Sequence, residues 1–137
     1  MSHTFTFPND VIEVRGAVDH DVDKDGRYTP VRLPRWTRAQ MSDVGILRMA
    51  QMGSGVRLRF RSSATRIEMK LLMTRIFVVG LHGDPQPTYY ELRVNGDFHQ
   101  KQGINGGNFI QIILNSPNVG AEEIKQGPSD VLVFSDL

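Results

Sequence analysis

The chain has 137 residues, close to the commonest size of one domain and long enough to bury one apolar core. Sixteen basic residues against 15 acidic ones leave a net charge of +1, which carries no nucleic-acid or membrane footprint. The absence of cysteine excludes disulfides, thiolate metal ligands and a cysteine nucleophile. A hydrophobic share of 39% favours folding over disorder, and 13 glycines with 7 prolines suit a turn-rich β architecture. Met1 to Phe7 lacks the apolar run of a signal peptide, and no window reaches the roughly 18 apolar residues of a membrane span. These features predict a soluble, cytoplasmic single domain over 1–137.

In chain order, Asp10 to Arg15 reads as a first strand stopped by Gly16, with a continuation over Ala17 to Asp21 after a bulge. Asp21 to Gly26 reads as a turn. Thr29 to Pro34 is extended and pinned by two prolines, so an edge or crossing loop is expected rather than a ladder strand. Trp36 to Ser42 suits one helical turn. Ile46 to Met52, bounded by Gly45 and Gly53, is expected to be a strand.

The clearest pattern follows. Val56, Leu58 and Phe60 alternate with Arg57, Arg59 and Arg61; Thr65, Ile67, Met69, Leu71 and Met73 alternate with Arg66, Glu68 and Lys70. A period of two puts one face in a core and the other in water. The short Ser62-Ser63-Ala64 link predicts a hairpin between the two runs. Ile76 to Leu81 is an apolar run before the loop His82 to Pro87. Tyr89 to Val94 alternates again, and Asn95-Gly96 supplies the positive-φ pair of a type I′ hairpin turn into Asp97 to Gln102. Phe109 to Leu114 reads as a strand, Asn115 to Ser129 as a polar insert, and Val131 to Phe134 as the last strand. Short, closely spaced strands predict an all-β fold, an antiparallel β-sandwich of jelly-roll-like form.

Chemistry-bearing residues are sparse. Asp21, Asp23 and Asp25 before Gly26 have the D-x-D-x-D-G start of a calcium loop, but Arg32 stands where its bidentate glutamate belongs and Lys24 sits inside it. A solvated hairpin loop is the competing reading. The four histidines share no metal-ligand spacing, and Gly53-Ser54-Gly55 precedes a strand pattern rather than the helix of a serine-hydrolase elbow. No catalytic residue, cofactor site or firm metal site is expected. The arginine stripe Arg57, Arg59 and Arg61 suits a solvated or inter-domain face. Arg35, Trp36 and Arg38, with Tyr89, are the candidate contact residues for a substrate or a neighbouring domain. For the sole tryptophan the competing reading is a core side chain closing the sandwich.

Three segments carry a resemblance. Arg32 to Gln40, Ser54 to Arg61 and Ala64 to Met69 resemble the N-terminal β-sandwich of bacterial SGNH/GDSL-type esterases. Tyr90 to Gly96, Gly106-Gly107-Asn108 and Val131 to Leu137 fit the same order and spacing, so the likeness runs from about Glu13 onward. The resemblance implies a non-catalytic accessory domain, partnered in cis by a C-terminal SGNH hydrolase domain that carries the esterase or lipase chemistry. It implies a further strand after Leu137, and hence an unpaired edge that invites homodimerisation. A carbohydrate-binding module and an assembly module are the alternatives. No nucleic acid and no membrane is expected as partner.

Overall fold

The computed structural model describes residues 2–81, 83–113 and 122–137. Residues 115–121 of the expected polar insert, with Leu114 and His82, lie outside the described residues. The backbone groups into two compact units, Met1–Ser62 and Ser63–Leu137. The fold is mostly β-strand, in several small sheets, with one α-helix and one 3-10 helix. No helix among the described residues is long and apolar enough to cross a membrane.

The first unit holds β1 (Glu13–Arg15), β2 (Asp19–Val22), β3 (Tyr28–Val31), a 3-10 helix (Arg35–Gln40), α1 (Val44–Gln51) and β4 (Arg57–Arg59). β1 pairs antiparallel with β4, placing Glu13 opposite Arg59 and Arg15 opposite Arg57. Gly16 ends β1 at φ +82°, and a Cβ there would stand 2.3 Å from the Gly55 carbonyl oxygen. Only glycine permits that approach.

β2 and β3 form an antiparallel hairpin closed at Asp23–Gly26, where the Gly26 N–H donates to the Asp23 carbonyl at 3.0 Å. The first residues of the proline-pinned segment therefore do join a ladder, contrary to expectation. The reason is register. The Asp23 N–H donates to the Arg27 carbonyl, so by alternation His20 and Pro30 face each other at a position that needs no N–H from Pro30.

The strand expected over Ile46 to Met52 is instead the end of α1. Asp43 starts it, its Oδ1 accepting from the Gly45 N–H at 2.7 Å and the Ile46 N–H at 3.4 Å. Leu47, Met49, Ala50 and Gln51 are good helix formers, so Gly45 is absorbed into the first turn and Gly53 lies just past the helix end. Arg32 donates through Nη2 to the Met49 carbonyl at 2.8 Å, satisfying a helix-end acceptor.

The second unit holds β5 (Arg66–Leu71), β6 (Thr74–Val79), β7 (Thr88–Val94), β8 (Asp97–Ile104), β9 (Asn108–Ile113), β10 (Glu122–Lys125) and β11 (Asp130–Ser135). β5 pairs with β11 and β4 with β1, so the alternating runs around Ser62 enter two ladders rather than the expected hairpin. β7 and β8 form the hairpin predicted from Asn95-Gly96, whose φ values are 53° and 95°. β9 lies between β10 and β6, antiparallel to the first and parallel to the second. That parallel pair departs from the expected all-antiparallel plan, and β10 falls inside the segment read as a polar insert.

The core of this unit is Ile104, Leu132 and Phe134, packed by Ile67, Met69, Leu71, Met73, Tyr90 and Leu92. Ile67, Met69, Leu71, Met73, Tyr90 and Leu92 are inward positions of the period-two patterns, while Arg66, Glu68 and Lys70 face water. Ile104 ends β8 inside Gly103 to Asn108, a stretch whose glycines and asparagines read as a loop. A glycine junction closes one end. The Gly107 N–H donates to the Pro128 carbonyl and the Asn108 N–H to the Met73 carbonyl, both at 2.7 Å. Gly107 sits at φ +99°, and a Cβ on it would lie 2.2 Å from the Met73 oxygen. Arg75 stacks 4.5 Å over the Phe109 ring and donates to the carbonyls of Gln86, Asn105 and Gly106.

Candidate binding face around Trp36

Pro34 stops β3's extension and opens the 3-10 helix, with the Thr37 N–H and hydroxyl both donating to the Pro34 carbonyl, at 3.0 and 2.6 Å. The helix places Arg35 and Arg38 one turn apart, on one side of it. Both reach β2. Arg38 grips Asp21 with two bonds, Nη2 to Oδ2 at 2.7 Å and Nη1 to Oδ1 at 3.2 Å. The Arg35 N–H donates to Asp19 Oδ2 at 3.1 Å, and its guanidinium donates to the His20 carbonyl. Paired, geometrically matched arginines of this kind fix orientation more than they add stability.

Electrostatics follow the geometry. The His20 N–H, 2.8 Å from Asp19 Oδ1, is the main cause of a lowered Asp19 pKa, with Arg35 adding to it. The hydrogen bond to Asp21 raises that of Arg38. Beside this knot the Tyr28 ring stacks on His20 at 4.7 Å and meets Phe7 at 5.4 Å. Burial pushes the Tyr28 phenol up.

Trp36 lies between the two anchored arginines and is 67% exposed. The reading of a core tryptophan closing a sandwich is thereby corrected: the core here is small, and the indole projects from a short helix whose neighbours are held. Among the described residues of α1, Ile46 and Met49 are also mostly exposed, and Met52 after it and Leu33 before the 3-10 helix are exposed over a smaller share. These are ordinary core residue types left on the surface of the unit that carries Trp36.

Of the residues expected from sequence, Arg35, Trp36 and Arg38 come together with Asp21. Tyr89 belongs to the second unit, where Lys101 Nζ sits 4.4 Å over its ring and its edge packs on Gly103. The acidic loop is engaged with arginine. Asp23 Oδ1 accepts the N–H groups of Asp25 and Arg27, both at 2.9 Å. Arg27 Nη1 donates to Asp23 Oδ2 at 3.1 Å and Asp25 Oδ2 at 2.7 Å. Among the described residues no three His, Asp or Glu side chains converge as a metal site. The sequence presents His20 as an imidazole that Asp19 and Asp21 could orient, with an isolated surface histidine as the competing reading, and it gives Tyr28 no role. The signal was there: acids two apart on one strand face arginines three apart on a helical turn.

No family model, curated protein or solved structure matches the chain.

Proposed function

We propose that this chain is a non-catalytic β-sandwich domain of jelly-roll-like form, which precedes an SGNH/GDSL-type esterase or lipase domain and docks on it in cis through the face around Trp36. The carrying observation is an exposed indole on a short helix whose flanking Arg35 and Arg38 are anchored on Asp19 and Asp21. An aromatic presented on a preorganised support loses little entropy on contact and is the commonest kind of binding anchor. The same segment, Arg32 to Gln40, carries the sequence resemblance. The ester chemistry would belong to the following domain, and this one would pack on it or help select its substrate.

The test is the native reading frame downstream of codon 137. A Gly-Asp-Ser block there supports the reading, and a frame without a hydrolase domain removes it. An exposed indole flanked by arginines also favours a second reading, a carbohydrate-binding module stacking a sugar on Trp36. A glycan-array signal that disappears in Trp36→Ala would favour it, and no binding by the intact chain would remove it.

A further inference from the structure

The arginine stripe on β4 has a different environment from the knot that fixes Arg35 and Arg38. Cross-strand register puts Arg57, Arg59, Arg15 and Glu13 on one face of the β1–β4 ribbon. Glu13 is committed to Arg15, with Oε1 and Nε 2.8 Å apart. Among the described residues, Arg57, Arg59 and Arg61 have no carboxylate partner, and all three are exposed. Arg59 and Arg61, with Glu13, Val11 and Phe60, line an open groove of about 410 Å³. Among the described residues β4 pairs on one side only, with β1, so its other edge presents backbone donors and acceptors without a ladder partner there.

We infer that this edge is a docking site for an extended acidic peptide segment, added as a strand beside β4 with carboxylates at alternate residues. Three observations favour that occupant. Alternate residues of an extended strand are roughly 6.8 Å apart, so carboxylates two apart match arginines two apart. An open edge supplies main-chain hydrogen bonds that a peptide uses and a nucleic acid does not. Leu58, exposed between Arg57 and Arg59 on the other face of β4, gives the intervening side chains an apolar neighbour, and Glu13 within the patch disfavours a continuous phosphate backbone. The uncompensated arginines set the partner's sign, and the edge sets its conformation.

The test is fluorescence anisotropy of the whole chain with a labelled peptide of about ten residues alternating glutamate and valine. Three controls accompany it: a lysine-for-glutamate peptide, a peptide of equal charge interrupted by prolines, and a single-stranded oligonucleotide of similar charge. The expected result is saturable binding of the glutamate peptide, lost in about 1 M salt, and weaker binding of all three controls. Arg57→Glu with Arg59→Glu is expected to weaken the glutamate peptide about tenfold or more. Equal binding of the lysine or proline peptide overturns the inference, as does tighter binding of the oligonucleotide. The comparison of ligands on the unaltered chain stands even if the double variant fails to fold.

Discussion

In the second unit Ile104, Leu132 and Phe134 are buried and packed by inward residues of β5, β7 and their neighbours. In the first unit Val31 and Ala50 are the buried apolar side chains among the described residues, and the joining is done largely by Asp19 and Asp21 with Arg35 and Arg38, by Asp23 and Asp25 with Arg27, and by Arg15 with Glu13. Apolar burial is strong and undirected; exposed ion pairs are weak and directional. The contrast assigns stability to the second unit and orientation to the first. A face that must hold an exposed tryptophan in one pose gains from the second kind of interaction.

The largest effect should come from the apolar side of this contrast. Leu132 is 2% exposed at the centre of β11, and Leu132→Ala is expected to cost about 2–5 kcal/mol, read as a lower urea midpoint. A loss under about 1 kcal/mol would mean that the second unit lacks a true core. A smaller effect is expected from Asp21→Asn, which leaves Arg38 without its bidentate partner: about 1 kcal/mol or less, shrinking in high salt. A cycle with Arg38→Gln should show the two losses to be shared rather than additive.

Acid should act on the first unit through Asp19 and Asp23, whose folded pKa values lie below the ordinary 3.8. For Asp19 the chief cause is the His20 N–H, and for Asp23 the Arg27 N–H. A depressed carboxylate stabilises the fold fully above pH 3.8 and loses that contribution as pH falls through the folded value. Because both groups meet solvent, the effect is modest. It is checked by following the Tyr28 and His20 ring resonances through an acid titration, with loss of their stacking as the expected outcome. The smallest effect is that of Trp36→Ala, within about 0.5 kcal/mol in stability. The sole tryptophan should also be quenched readily by acrylamide in the intact chain.

Legibility in the sequence divides along the same line. Where apolar periodicity drives structure, as in Ile67–Met69–Leu71 and Tyr90–Leu92, the inward residues were readable, and Asn95-Gly96 specified its own turn. Strand partners were not readable, because period two says which face is buried and nothing about which strand lies alongside. Hence β4 and β5 read as one hairpin and take β1 and β11 instead. α1 escapes a linear reading because Gly45 and Gly53 look like the bounds of a strand, whereas Gly45 stands in the first turn of a helix that the Asp43 side chain caps. The contact residues Arg35, Trp36 and Arg38 were visible as a cluster; their anchoring to Asp19 and Asp21 depends on a hairpin register that a linear reading does not supply.

Hydrogen exchange by mass spectrometry at low and high salt tests most directly the division between an ion-paired and an apolar-cored unit. Segments covering Ile104 and Val131 to Phe134 should be the best protected and insensitive to salt. Segments covering Asp19 to Val31 and Arg35 to Arg38 should exchange faster as salt rises. Equal protection of the two units, or a salt response confined to the second, would contradict the account.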